Sequence, residues 1–271
     1  MWKRPDIFLG LLLAALFGVA SAVLAWRIAD HLLDARRSQN YWDELQDSVV
    51  VADTKEPAVA TDPQPIQDGE TPAGEQPETE EPEVTIPESV DFERLRAISG
   101  NAAAWLYSPD TKINYVVAQA EDNAYYLRRL LNGKAASGGS LFADYRCSAD
   151  FSDWNTVIYG HYMKNGTMFG GLSNYRDQAY YEEHPVMYLY LPGQRYRLEL
   201  VAGYTTDVYD VAYAVPASKE QRDEILTHAV EKSSFQSDVA VGEDDRLVTL
   251  STCSYAYDNA RYIVIGRLVE D

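Results

Sequence analysis

The first thing the hydrophobic pattern shows is a break in it. Residues Ile7 to Trp26 form twenty consecutive positions without a charge, preceded by Lys3 and Arg4. That length spans a bilayer as a helix. The apolar run continues past the small-residue stretch Ala20-Ser21-Ala22 and ends with Trp26 at an interfacial position, which favours an uncleaved anchor over a signal peptide. The reading is a cytoplasmic N-terminus over 1–6 and a transmembrane anchor over 7–26. From residue 27 to 52 the apolar positions Ile28, Leu32, Leu33, Tyr41, Trp42 and Leu45 recur at loosely helical spacing, which predicts a juxtamembrane helix.

Further along, short β-branched and aromatic runs recur between turn signals: Ala104 to Tyr107, Ile113 to Ala118, Thr156 to Tyr159, Val186 to Leu191, Tyr196 to Gly203, Leu247 to Thr252 and Tyr262 to Val269. Regular short strands predict a barrel or sandwich. Helical spacing appears at Phe92 to Ser99, Ala124 to Leu131 and Lys219 to Lys232. The expected fold is therefore mainly β with peripheral helices.

Between the two patterns lies residue range 53–91, with seven prolines and twelve acidic residues against one lysine. Such a composition buries little apolar surface and repels itself, so it reads as an acidic Pro-rich linker, a spacer between the anchor and a folded domain over 92–271. It also carries most of the net charge of −19. No basic patch of the kind that neutralises phosphates is present, which argues against a nucleic-acid partner. The two cysteines, Cys147 and Cys253, are too few and too far apart for a disulfide framework. The carboxylate pairs Glu182-Glu183 and Asp244-Asp245 have no histidine or cysteine at ligand spacing, so neither a metal nor a cofactor is expected. Asp144, Asp150 and Asp153 read as turn or surface carboxylates.

The chemistry concentrates at strand ends. Thr249-Leu250-Ser251-Thr252-Cys253 is an alternating strand that ends in a cysteine, and Arg261-Tyr262-Ile263-Val264-Ile265 begins after a polar turn. A strand end fixes a nucleophile while leaving it projecting, and a thiolate is a strong nucleophile near neutral pH. If the two strands pair as a hairpin, Arg261 lies beside Cys253 as a permanent cation for a developing oxyanion. Val157-Ile158-Tyr159-Gly160-His161 is a second apolar strand, and His161 alone of the four histidines stands at a strand terminus.

These segments resemble the sortases, and within them class B. The resemblance is carried by T-L-S-T-C with an arginine eight residues on, by the histidine of Y-G-H, and by four further segments: Asn123-Ala124-Tyr125-Tyr126-Leu127, Ser140 through Arg146, Asp150-Phe151-Ser152-Asp153, and Met163 through Phe169. Tyr162 after the histidine and Ser254 after the cysteine depart from the usual pattern. The resemblance implies a closed eight-stranded β-barrel with peripheral N-terminal helices and an inserted helix before the cysteine strand, for which Lys219 to Lys232 fits. It implies Cys253 as nucleophile, His161 as proton-transfer partner and Arg261 as oxyanion-binding cation. Asn123, Leu127, Tyr159, Ser251 and Thr252 are implied to line a peptide groove. The implied reaction cleaves a Pro-x-Thr type sorting signal of a secreted protein at the Thr carbonyl and transfers the acyl group to an amine of the cell wall or of a pilin. The implied place is the cell membrane, single-pass, with the catalytic domain outside. Two other functions compete: a papain-like wall peptidase, whose cysteine would open a helix and precede its histidine, and a non-catalytic envelope scaffold.

Overall fold

The computed structural model describes residues 4–51, 86–253 and 260–271, excepting some side chains, that of Cys253 among them. The linker expected over 53–91 falls mostly outside the described residues, as does Ser254. The segments expected as anchor and juxtamembrane helix form one unbroken helix, α1 (Arg4–Val49), which is long and apolar enough to cross a membrane. From Leu9 through Leu33 its described apolar side chains stay exposed, whereas Trp42, Leu45 and Val49 are buried. A two-residue strand, β1 (Val50–Val51), pairs antiparallel with β2 (Ser89–Val90). Next comes α2 (Phe92–Ile98), capped by the Asp91 carboxylate, which accepts from the Arg94 N–H.

Eight strands then close a barrel: β3 (Ala102–Tyr107), β4 (Asn114–Ala118), β5 (Leu141–Ala143), β6 (Asn155–Gly160), β7 (Val186–Leu191), β8 (Gln194–Thr206), β9 (Arg246–Cys253) and β10 (Arg261–Glu270). Their order around the wall is β10-β8-β7-β3-β4-β5-β6-β9. Closure pairs every strand on both sides, leaving no exposed edge. Most neighbours are antiparallel, but β4 with β5 and β6 with β9 are parallel. Trp105, Leu106, Val116, Leu189, Leu250 and Val264 are fully buried within this wall. Outside it, α4 (Lys219–Lys232) sets Ile225 and Ala229 against Tyr204, Ile263 and Ile265, where the inserted helix was expected.

One local expectation needs correction. The helix anticipated over Ala124 to Leu131 is only a single 3₁₀ turn, Tyr126–Arg128. The chain turns back at once through Gly133, and Arg129 bridges Ala135, which buries Leu130 and Leu131. A Cβ on Gly139 would strike the Tyr126 and Leu127 carbonyls, so this reversal requires glycine. Strand β5 went unforeseen because three residues are too few to display an alternation. A two-turn helix, α3 (Gln178–Glu183), capped by Asp177, was also missed.

Candidate active site

The parallel joint between β6 and β9 makes the site. Its register pairs Tyr159 with Ser251 and Gly160 with Thr252, so the chain leaves β6 into His161 beside the point where β9 ends in Cys253. On the other side of β9, antiparallel pairing places Arg261 directly opposite Cys253. Three residues separated by up to a hundred positions thus emerge at one end of three adjacent strands. The segment Gly160-His161 is held closely against the barrel: a Cβ on Gly160 would come within 2.5 Å of Leu141 and 2.6 Å of Phe169.

In front of these strand ends lies a groove of about 500 Å³. Asn123, Leu127, Tyr159, His161, Ser251, Thr252 and Arg261 all line it. Every sequence-predicted site residue with a described side chain therefore faces one cavity, and the Cys253 backbone follows Thr252 and pairs with Arg261, both of which line it. His161 Nε2 lies 2.6 Å from the Leu127 carbonyl oxygen. A carbonyl can only accept, so Nε2 carries the proton and Nδ1 is the nitrogen whose protonation can change. Arg261 donates through Nη1 to the Ala260 carbonyl at 3.0 Å.

The geometry has close counterparts among known proteins. A family model for the sortase domain matches residues 106–269. The chain is 36% identical over 179 residues to sortase B of Listeria monocytogenes, covering 65% of this chain and 72% of that one. The chain belongs to the sortase family. Sortase B of Staphylococcus aureus is 31% identical over 182 residues, 66% of this chain and 75% of its own. Among solved structures, a Staphylococcus aureus sortase B–substrate complex superposes with TM-score 0.62 at 30% identity, covering 66% of this chain and 84% of its own. Sortase B from Bacillus anthracis, in complex with AAEK1, gives TM-score 0.68 at 29% identity over 89% and 100%. As a sortase the protein is a cysteine transpeptidase, and the sortase B proteins that it matches place it in class B.

The sortase groove contains residues that sequence reasoning missed. Asp144 was expected at a turn or on the surface; instead it is completely buried at the end of β5. Its carboxylate accepts from the Arg146 N–H at 3.0 Å, from the Arg146 guanidinium at 2.9 and 2.8 Å, and from the Tyr159 hydroxyl at 2.9 Å. Burial works against its charge, but the Arg146 and Tyr159 hydrogen bonds outweigh it and hold the carboxyl below its usual range. Burial, reinforced by the Asp144 charge, pushes the Tyr159 phenol far up, so it stays a donor. Arg146 also donates to the Tyr213 carbonyl at 2.9 Å. The Tyr213 ring stacks on Tyr159 at 6.1 Å, and its hydroxyl meets the Ser251 hydroxyl at 2.9 Å. One network therefore ties β5, β6, β9 and the segment after β8 together around the groove. The only sequence signal was a carboxylate two positions before an arginine at the end of an apolar triplet.

Because Asp144 shapes the wall without sitting at the strand ends that carry His161, Cys253 and Arg261, Asp144→Asn should raise KM for a peptide substrate by about 10-fold and leave kcat within about threefold. Steady-state kinetics on a peptide series check this split. A kcat loss at constant KM would assign Asp144 to the chemistry instead.

Asp210 is the other missed residue. It accepts from Tyr204 at 2.7 Å, Thr206 at 2.6 Å and the Ala212 N–H at 2.9 Å, and lies 3.1 Å from His228 Nε2 on α4. This anchors the roof of the groove, which carries the 91% exposed Tyr209. Buried Asn155 holds the same roof by donating to the Ala212 and Ala214 carbonyls, each at 3.0 Å. Burial disfavours the Asp210 charge, yet the donors outweigh it and set the pKa at about 2, against 3.8 unperturbed. A carboxylate whose folded pKa is depressed contributes stability above about pH 4 that is lost as pH falls through about 2. Asp210→Asn should lose roughly 2 kcal/mol at pH 7, lowering Tm by about 4–8 °C, and should lose less stability than wild type between pH 4 and 2. Thermal melts across that range measure both.

Buried Cys147 is a free thiol with its sulfur 3.8 Å from the Asn155 carbonyl. Burial pushes its pKa up to about 11, so it is protonated near neutral pH and a poor nucleophile.

Proposed function

We propose that this sortase uses Cys253 to cleave a Pro-x-Thr type sorting signal at the Thr carbonyl and passes the acyl group to an amine of the wall peptide or of a pilin. The observation that supports this reading is the pairing of β9 with β6 and β10, which sets His161 and Arg261 on either side of Cys253 above a peptide-sized groove. The likeness to a sortase B solved with its substrate supports the class of ligand.

The thiolate attacks the carbonyl carbon, and the electron pair of the C=O bond moves onto oxygen, where the Arg261 guanidinium receives the charge. His161 Nδ1 delivers a proton to the departing amine, leaving a thioester on Cys253. An incoming amine loses its proton to the same nitrogen as it attacks, and the new amide expels the thiolate. No cofactor enters this sequence. The strand-end cysteine does not present the helix N-terminus of a papain-like peptidase. The proposed setting is a single-pass membrane protein with the catalytic domain outside the cytoplasm.

Incubating the full chain in membrane vesicles with Pro-x-Thr peptides and candidate amines tests the reading. The expected result is Thr-amine ligation that rises with amine concentration, with cleavage after Thr. Cleavage elsewhere, or release with water alone at every amine tried, would refute it.

A further inference from the structure

The acidic Pro-rich stretch sits between anchor and barrel in sequence, which suggests a spacer that sets the enzyme's distance from the bilayer. The described residues on either side of it point elsewhere. The second half of α1 lies on the barrel, with Trp42, Leu45 and Val49 buried at 2%, 4% and 1% exposure. Trp42 meets the ring of Tyr115 on β4 edge-on at 5.4 Å. Asp34 accepts from the Ser137 N–H at 3.0 Å, Gln46 donates to the Asn114 carbonyl at 2.7 Å, and Arg94 of α2 donates to the Ser48 carbonyl at 3.1 Å.

The chain then departs through β1 and returns through β2 at the same place. Val50 faces Val90 and Val51 faces Ser89 across the pair. The Glu88 N–H donates to the Val51 carbonyl at 2.9 Å, and the Asp91 N–H to the Val49 carbonyl at 2.8 Å. Buried Tyr190 fastens the returning strand through the Pro87 carbonyl at 2.6 Å. A segment whose two ends are clamped side by side cannot hold the anchor and the barrel apart.

We propose that α1 itself is the mount of the catalytic domain, docked on the face formed by β4, α2 and the Ser137 turn, and that residues 52–85 have no part in the spacing. A free linker of 34 residues would let its ends wander by roughly 30–35 Å root-mean-square. The helix, by contrast, rises about 1.5 Å per residue, so Trp42 stands roughly 24 Å above Trp26. Groove height and orientation over the membrane are then set by helix length and by the angular position of Trp42, Leu45 and Val49 on it.

The test uses the full chain in vesicles with Cys147→Ala and Cys253→Ala, adding Val51→Cys and Ser89→Cys. Facing residues of an antiparallel pair lie within disulfide range, and Val51 is 46% exposed, so neither change disturbs the core. Mild oxidation should cross-link the pair nearly completely, and a protease site placed within 53–85 should then release the barrel only after reduction. Cross-linking no faster than for Val51→Cys paired with Tyr209→Cys would overturn the clamp. In the chain with its native cysteines, replacing 54–84 by a four-residue Gly-Ser turn should leave ligation of a membrane-tethered substrate within twofold. Loss of tethered but not soluble substrate would restore the spacer. Failure of the vesicle protein to withstand an alkaline wash, with the cross-link intact, would overturn the mount by removing the anchor.

Discussion

Cys253→Ala is expected to abolish peptide cleavage and amine-dependent ligation together, by about 10⁴-fold or more, with no loss of thermal stability. In the proposed mechanism both reactions pass through the same thioester, so no variant lacking the thiol should retain one of them. Cys147→Ala provides the contrast. Its thiol is buried and its pKa is pushed up to about 11, so its removal should change turnover by no more than a few-fold. Iodoacetamide should label the wild type at Cys253 alone, and mass spectrometry of the labelled peptide reads the ratio. Preferential labelling of Cys147, or turnover by the Cys253→Ala protein, would overturn the nucleophile assignment.

The second large effect is expected at Arg261, which separates this mechanism from that of a general thiol hydrolase. Arg261→Lys keeps the charge but loses the planar fork that can donate to an oxyanion and to substrate backbone at once. It should lower kcat/KM by about 100-fold, roughly 3 kcal/mol of transition-state stabilisation, and Arg261→Ala should lose more. The Cys253 thiol should stay alkylatable in both variants. Near wild-type kinetics for the lysine protein would make Arg261 a packing cation, leaving backbone amides to bind the oxyanion.

The strands that the sequence revealed best are those whose two faces differ most or whose interior is continuously apolar. Val186 to Leu191 is strand from its first residue to its last, and Lys219 to Lys232 is a helix over the expected bounds. Ala124 to Leu131 misled because a helical repeat of apolar residues also suits a chain that reverses and buries Leu130 and Leu131 from two directions. Asn123, Leu127, Tyr159, Ser251 and Thr252 came only with the family resemblance, whereas the positions of His161, Cys253 and Arg261 were legible because they stand at strand ends, which can be seen in a sequence. Asp144 and Asp210 were not, since each gains its meaning from donors that arrive from distant elements: Tyr159 and Arg146 for one, Tyr204 and His228 for the other. The parallel union of β6 with β9 is equally invisible locally, for nothing in either strand specifies the other.

That union also fixes a chronology. Between Gly160 and Arg246 the chain completes β7, β8 and α4 before β9 returns to pair with β6, so one edge of β6 has no partner until all three have emerged. The last two strands, β9 and β10, bring Cys253 and Arg261 and close the wall in the same event. A partly synthesised chain that stops before β9 holds His161 with neither of them, and a chain truncated before β10 leaves both β8 and β9 with an open edge. Completion of the barrel and assembly of the proposed reactive centre are thus a single step, and the enzyme cannot act on a passing substrate before β9 and β10 have paired.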